Sequence, residues 1–515
     1  MKKGNQKVVF KDYIINQVLL LPPNLEELIE ANHPVRVVNK VIDSINIDAL
    51  IAGYSGGGTS SYHPRMLLKV LVYGYLCNVY SSRKLESCTK ENIHFMWLSG
   101  MQQPDHNTIN RFRSERLKDV LKNIFAQTVH LLSKAGHLSL KEVYTDGTKI
   151  EANANRYSFV WGKSIKYHQG KMEEQLKELW EYTQSIAKEE LKDTAPIDFK
   201  AISPEKIAET VNTIHALLKD KEEVPQKIKQ KVNYAKQRWA GKRKEYAEQE
   251  KILKGRNSYS KTDPDATFMR LKEDHMKNGQ LKPAYNLQIS TSNQFIVHYT
   301  LHHNPADTKT LAPHLRSFEQ HLKTKPDVMT ADAGYGSEEN YQLLAKAKIN
   351  PFIKYNYFDK EQSKHFFKDN YRSEYLKYDA ETDTVICPSG KPMRKTKEYT
   401  RKTPDGMTQH YTSYQAESCE GCELRQKCHQ SKNNRTVDLN HTLRHLKQPA
   451  KTNLLSETGV YHRKKRCYEV EPVFANIKHN KNFRRFNLRG QNKVEIETGL
   501  IALAHNLKKA ATKGN

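Results

Sequence analysis

The chain of 515 residues exceeds the ~250–300 at which a single hydrophobic core stops growing, so several structural units are expected. Its 84 Lys and Arg against 58 Asp and Glu give a formal charge of +26, which fits a polyanionic partner, nucleic acid ahead of a membrane surface. No apolar run approaches the ~18 residues that span a bilayer, and the apolar run of the basic start "MKKGNQKVVFKDYI" is cut short by Lys11 and Asp12, so neither a membrane anchor nor a signal peptide is expected and the protein reads as cytoplasmic.

Residues 1–135 read as an all-helical N-terminal domain. In "HPRMLLKVLVYGYL" Leu67, Leu68, Leu71 and Tyr75 recur at helical spacing behind a proline suited to a first turn. "SSRKLESCTKENIHFMWLSG" continues as helix up to a glycine. In "PDHNTINRFRSERL" Asp105 is a natural N-cap, Ile109 and Phe112 would face inward, and Asn110, Arg113 and Arg116 outward. Short helices ending in a basic one suit a helix-turn-helix-like DNA reader, with a small bundle bearing a solvated basic face as the plainer alternative.

"EVYTDGTKI" then reads as a strand with Asp146 near its end, the first part (136–164) of a catalytic α/β domain. Residues 165–257 change character. They are rich in Lys and Glu, with Met172, Leu176, Leu179 and Ile186, then Ile207, Val211, Ile214 and Leu218 at helical steps after a Ser203–Pro204 start, and predict an inserted helical hairpin whose charge is a solvated face.

The α/β pattern resumes over 258–356. "AYNLQIS" and "FIVHYTLHH" form a strand hairpin across "TSNQ", followed by helix (307–322), strand "DVMTADA", helix (337–348) and strand "PFIKY". Residues 357–455 hold a Cys-rich insertion. Seven cysteines is an odd number for a disulfide framework, and four of them, Cys387, Cys419, Cys422 and Cys428, gather with one C-x-x-C pair, which predicts a structural Zn2+ site of zinc-ribbon type; His429 competes as a ligand. A final helical region (456–515) ends in "GLIALAHNLKKAA".

Two acids thus stand on strands of one α/β domain, Asp146 in "YTDGT" and Asp332 in "TADAG", each followed by small residues that let the backbone turn away. A third is offered by "RCYEVEPVFANIKHNKNFRRFNLRG", through Glu469 or Glu471. Three carboxylates suit hard divalent cations, Mg2+ or Mn2+, and a pair of such ions can stabilise both oxygens of an in-line phosphoryl displacement. Lys478, Arg484, Arg485 and Arg489, close behind the third acid, would follow a phosphate backbone. Other motifs read as structure: "WGKS" lacks the first glycine of a phosphate loop, "SGGGTSS" (55–61) is a linker, Asp263 and Asp265 of "SKTDPDA" belong to a turn, and His302 and His303 to a strand end.

Together "YTDGT", "TADAGY" and "VEPVFANIKHNKNFRRFNLRG" resemble the three catalytic regions of the DDE transposases of bacterial insertion sequences. "HPRMLLKVLVYGYL", "DHNTINRFR", "SKTDPDATFM", "YNLQI" and "CEGCELRQKC" look like further elements of that family in family order, and the resemblance covers nearly the whole chain. It implies a ribonuclease-H-like fold with insertions, divalent metal, and cutting and joining of double-stranded DNA. Asp146, Asp332 and Glu471 match the three acids; Glu471 is preferred because a Lys follows after six residues, at Lys478, although the Arg expected before it falls on Cys467, with Arg466 one step away. The resemblance implies transposon-end and target DNA as partners and two ends held by a homodimer. A regulator that has lost catalysis and a nuclease without strand transfer are the alternatives.

Overall fold

A computed structural model describes residues 24–54, 61–191, 197–200, 202–271, 279–363, 371–403 and 406–513. The basic start and nearly all of "SGGGTSS" lie outside the described residues.

Among the described residues seven α-helices come first: α1 (Pro34–Ser44), α2 (Asp48–Ile51), α3 (Pro64–Leu76), α4 (Ser82–Glu91), α5 (Ile93–Ser99), α6 (His106–Arg111) and α7 (Leu121–Lys134). Their starts follow the local chemistry. Pro64 opens α3, Asp105 caps α6 by accepting from Thr108 N at 2.7 Å, and Gly100 closes α5 in the left-handed region at φ 57°. The stretch expected as one helix over 81–100 is broken at Asn92, whose side chain accepts from His94 N and begins α5 instead.

The central sheet holds β1 (Glu142–Glu151), β4 (Thr267–Arg270), β5 (Leu281–Ser292), β6 (Phe295–His302), β7 (Val328–Ala331) and β8 (Asn350–Ile353); β2 (Phe159–Trp161) and β3 (Ser258–Ser260) pair separately. β5 is flanked by β4 and β6 on one side and by antiparallel β1 on the other; β7 and β8 then follow parallel to β1. The β5–β6 turn places Asn293 and Gln294 at φ 52° and 63°, the left-handed pair of a tight hairpin. Asn506 of the last helix bonds both N–H and C=O of Ile296 (2.8 and 2.7 Å), so the outer edge of β6 is covered.

Between β2 and β3 lie α8 (Gly162–Ile186), α9 (Pro204–Leu218) and α10 (Gln226–Leu253), which enclose a core of their own. The expected hairpin is therefore a three-helix unit. In α10 the apolar stripe is thin, Val232, Ala235 and Trp239 among many Lys and Glu, so the sequence reads as a charged surface. α11 (Leu311–Leu322) lies between β6 and β7 in the chain and α12 (Glu338–Ala347) between β7 and β8, and the short α13 (Phe358–Glu361) follows β8.

The Cys-rich stretch forms a second, antiparallel sheet in the order β13–β12–β11–β10–β9, from β9 (Lys377–Asp379), β10 (Thr384–Ile386), β11 (Pro392–Lys402), β12 (Thr408–Ala416) and β13 (Thr436–Leu439), with the short α14 (Arg425–Cys428) before β13. The chain ends with α15 (His441–Leu455), α16 (Glu457–Glu469), α17 (Glu471–Ala475) and α18 (Gln491–Lys513).

α18 ties the two ends of the chain together. It packs on α1, α3, α7 and β6, and it is buried nearly all round, from Val494 to Leu507. Its buried Glu497 accepts from Tyr75 Oη of α3 (3.2 Å) and from the backbone of Asn487 and Leu488 (2.9 and 2.8 Å); burial pushes this carboxyl up. Lys481, also buried, donates to the last carbonyls of α3, Tyr75 and Leu76, at 3.3 and 3.2 Å, and burial pushes its ammonium down to about 8. Asp263 accepts from Tyr285 Oη and Gly490 N, and Asp265 from Gln491 N at 2.9 Å, so the "SKTDPDA" acids hold the start of α18 against the sheet.

On one face of the sheet a buried hydrogen-bonded chain runs from Thr145 through Ser290, His314 and Thr300 to His302, with steps of 2.6–2.8 Å. Burial, aided by neighbouring His302 and Lys122, holds His314 down to about 3; burial and His303 hold His302 down to about 4; His505 on α18 is likewise down to about 4. These imidazoles stay neutral in the fold while their unfolded counterparts titrate near 6.5, so between about 6.5 and 4 the unfolded chain binds more protons. Stability is expected to be full above pH ~6.5 and to fall below it, by roughly 2 kcal/mol per histidine at pH 5. Urea midpoints at pH 7.5 and 5 check this, and a flat profile contradicts it.

Candidate active site

The register of β1 and β7 builds the site. Glu142, Val143 and Tyr144 lie beside Val328, Met329 and Thr330 in parallel pairing, and two more residues along each strand bring Asp146 abreast of Asp332. Parallel neighbours share a face, so both carboxylates emerge on one side of the sheet. Asp146 is buried, and the strand continues past it to Glu151, so it stands mid-strand instead of near the end as the sequence suggests. Asp332 follows β7 directly and caps the short 3-10 turn Ala333–Tyr335. Each acid is fixed by its own backbone: Asp146 Oδ1 accepts from Gly147 N at 2.8 Å and Asp332 Oδ1 from Gly334 N at 2.9 Å.

α16 lies over this face. Tyr144 Oη bonds His462 Nδ1 at 2.8 Å, and one turn further Arg466 Nη1 reaches Asp146 Oδ2 at 3.0 Å. The other guanidinium nitrogen stands 3.9 Å from Glu471 Oε1. Glu471 is the first residue of α17, with Pro472 in the first turn where a missing N–H costs nothing, and its side chain is 61% exposed. Glu469 points elsewhere: it is buried and accepts from Gln294 N in the β5–β6 turn at 2.8 Å. Of the two glutamates, Glu471 is the one that shares the Arg466 guanidinium with Asp146. Among the described residues no three His, Cys, Asp or Glu side chains converge at metal-ligand distances. Arg466 stands between the first acid and the third.

A fourth acid belongs to the same cluster and has no motif to announce it. Asp307, in the 3-10 turn Asp307–Lys309 before α11, accepts from Asn286 Nδ2 (2.8 Å) and Gln288 Nε2 (2.9 Å) of β5. A Cβ at Gly147 would stand 2.7 Å from Asp307 Oδ1, and one at Gly334 would stand 3.6 Å from Oδ2, so Asp307 sits between the segments that carry Asp146 and Asp332. Beneath them lies the buried Tyr335, which bonds Gln288 Oε1 and whose phenol is pushed well up by burial and then by Asp307, Asp146 and Asp332, with Arg466 opposing. The one sequence signal is glycine: "DGT" and "DAG" leave room for a close neighbour without naming it.

The expected DNA-contacting residues divide. Arg484, Arg485 and Arg489 are exposed and braced: Arg484 on Lys478 O (3.1 Å), Arg485 on Ala152 O (3.2 Å) and Arg489 on Asn153 O (2.7 Å), just beyond β1. Asn110 and Arg116 are exposed, the latter bonded to Gly53 O with its guanidinium 4.8 Å from the Tyr54 ring. Arg113 does not face outward; it is 3% exposed and donates to Tyr80 O at 2.6 Å, joining helices. Lys478 is also buried, because the π-helical turn Asn476–Asn480 rotates it off the face that Glu471 presents.

The four expected zinc ligands line one cavity without converging at metal-ligand distances. Cys387, Cys419, Cys422 and Cys428 are free thiols lining a cavity of about 350 Å³ beside His429 and Arg435. Arg435 donates to Cys428 Sγ at 2.6 Å and, from its backbone, to Cys419 Sγ at 3.3 Å, while both ring nitrogens of His429 are buried without a hydrogen-bond partner.

A family model described as "Transposase DDE domain" matches residues 386–511, which hold the cysteine cluster, Glu471 and the basic tract, and one described as "Transposase domain (DUF772)" matches residues 23–115. Both matches support a DDE-type transposase of insertion-sequence type. No curated protein matches it significantly. A transposase DDE domain implies DNA as substrate and phosphoryl transfer as the reaction class. No helix among the described residues is long and apolar enough to cross a membrane.

Because Asp307 accepts one N–H from each of two buried amides, which keep their second bonds to Asn304 O and Asn286 Oδ1, Asp307→Ala should cost about 1–3 kcal/mol in all, whereas a surface exchange such as Glu222→Ala should be near neutral. Denaturant unfolding of both variants checks this, and equal small effects contradict it.

Proposed function

We propose that this transposase cuts DNA at the ends of its element and joins the freed 3′-hydroxyl to target DNA, using a divalent-cation centre formed by Asp146, Asp332 and Glu471. The observation that carries the reading is Arg466: a cationic group stands between Asp146 and Glu471, where a charge-neutralising partner is needed. The donor set fits Mg2+ or Mn2+, being carboxylate oxygens only. The strand order supports a ribonuclease-H-like fold, with an antiparallel hairpin on one side of β1 and two parallel strands on the other.

When bound, such cations supply Lewis-acid stabilisation to the attacking and leaving oxygens of an in-line displacement. The protein's own part is positional. Gly147 N and Gly334 N each hold one oxygen of Asp146 and Asp332, which limits carboxylate rotation, and the buried Tyr335–Gln288–Asp307 network supports the floor below. Glu471, exposed at the start of α17, closes toward Asp146 once Arg466 turns aside. Arg484, Arg485 and Arg489 hold the phosphate backbone beyond β1. Handling two ends calls for two copies, so the working form is a homodimer on double-stranded DNA, in a bacterial cytoplasm.

For the second metal we propose a structural Zn2+ among Cys387, Cys419, Cys422 and Cys428. The fit is supported by the shared cavity and by the unpartnered His429 nitrogens at its wall, and Arg435 would yield its bonds to two of the sulfurs.

Asp146→Asn should lose strand cleavage of end-containing DNA in Mg2+ while retaining affinity for that DNA. Retained cleavage would remove Asp146 from the mechanism; a wild-type protein that binds but neither cuts nor joins would make it a regulator, and cutting without joined products a nuclease. Elemental analysis of protein purified without chelator should find about one zinc per chain. Its absence, with the Cys419→Ser variant as stable as wild type, overturns the zinc site.

A further inference from the structure

The second sheet carries a feature that neither the acids nor the cysteines use. β11 and β12 run on past their neighbours: β10 pairs with β11 only from Pro392 to Arg394, and β13 with β12 only from Thr412 to Gln415. Beyond them the pairs Tyr399↔Tyr411, Thr400↔His410, Arg401↔Gln409 and Lys402↔Thr408 form a two-stranded ribbon. Cross-strand partners share a face, so Lys397, Tyr399, Arg401, Gln409 and Tyr411 lie on one side and Glu398, Thr400, Lys402 and His410 on the other.

The first face is basic and aromatic. The two tyrosine rings stack at 5.5 Å with planes 14° apart, Lys397 lies 5.6 Å from the Tyr399 ring, and Arg401 lies 5.7 Å from the Tyr411 ring. Lys397 and Arg401 are exposed. The position of this face is fixed by Gln409, whose amide donates to Glu338 Oε2 at 3.1 Å, and Glu338 also accepts from Asn440 at 2.7 Å. Glu338 is a buried residue of the first turn of α12, on the segment that begins at Asp332. The basic-aromatic face is therefore anchored on the first turn of α12, six residues along the chain from Asp332.

We propose that the β11–β12 ribbon is a duplex-DNA contact, holding the phosphate backbone beside Asp332 through Lys397 and Arg401. This rests on the reading of the chain as a DNA-cutting enzyme. A two-stranded ribbon has the width of a B-DNA major groove, and its aromatic pair gives the cations a rigid base. The plainer role for lysines on an uncovered strand edge is to discourage edge-to-edge pairing, and it makes no demand on DNA.

The full-length protein carrying Lys397→Gln with Arg401→Gln is compared with wild type by fluorescence anisotropy on a labelled random-sequence duplex across a salt series. A matched change of charge elsewhere, Lys171→Gln with Lys188→Gln on or just beyond α8, serves as control. The ribbon variant should bind more weakly, and its slope of log affinity against log salt should fall by roughly 2, about 0.9 per lost phosphate contact, with the control close to wild type and all melting temperatures alike. Equal slopes for ribbon variant and wild type, or equal losses in ribbon variant and control, overturn the ribbon contact; an ordinary slope with increased self-association of the ribbon variant assigns the lysines to edge protection. Failure of wild type to bind duplex at all would instead overturn the DNA-cutting reading itself.

Discussion

Carboxylates held abreast on neighbouring strands repel one another, and the arrangement persists only with a positive charge nearby. Here the β1–β7 register imposes the juxtaposition of Asp146 and Asp332, and Arg466 on α16 meets it at 3.0 Å. The site's other parts answer to that constraint. α16 must cross the sheet face, which His462 secures through Tyr144; Glu471 must follow within a turn, which brings it to the same guanidinium; and Asp307 is held by two amides of β5.

The three matched acids are separated by more than a hundred residues of chain each time, so their meeting depends on how distant segments are fastened. α18 does most of this. Glu497 fastens it to α3, Asp263 and Asp265 fasten its beginning to the sheet, and Asn506 fastens it along β6. Glu497, Asp263 and Asn506 are buried polar groups whose loss would leave a partner unsatisfied, so these contacts specify one arrangement as well as stabilise it. The insertions make separate cores and leave the sheet's register undisturbed.

Much of this was legible because it is local. Asp105, Ser203 and Ser337 cap helices as short-range chemistry predicts, Pro204 begins α9, and the period-two runs of β5 and β6 flank a two-residue turn. Asp146 and Asp332 were readable because each precedes a glycine within two residues. The long-range features were hidden. Nothing near Asp307 shows that its partners lie on β5, Arg113 looks like a surface arginine until Tyr80 O is found opposite it, and a π-helical turn cannot be seen in the spacing that links Glu471 to Lys478. The third helix of the insertion escaped because its apolar stripe is three residues deep in a field of charge.

The central claim is that one cation centre joins Asp146, Asp332 and Glu471. Replacing Mg2+ by Fe2+ and adding ascorbate generates hydroxyl radicals that cut the polypeptide close to the bound ion. The account predicts fragments ending near residues 146, 332 and 471 together, suppressed by excess Mg2+ and absent from Asp146→Asn. Cuts confined to the cysteine cluster, or a pattern near one acid that Mg2+ does not suppress, would contradict it.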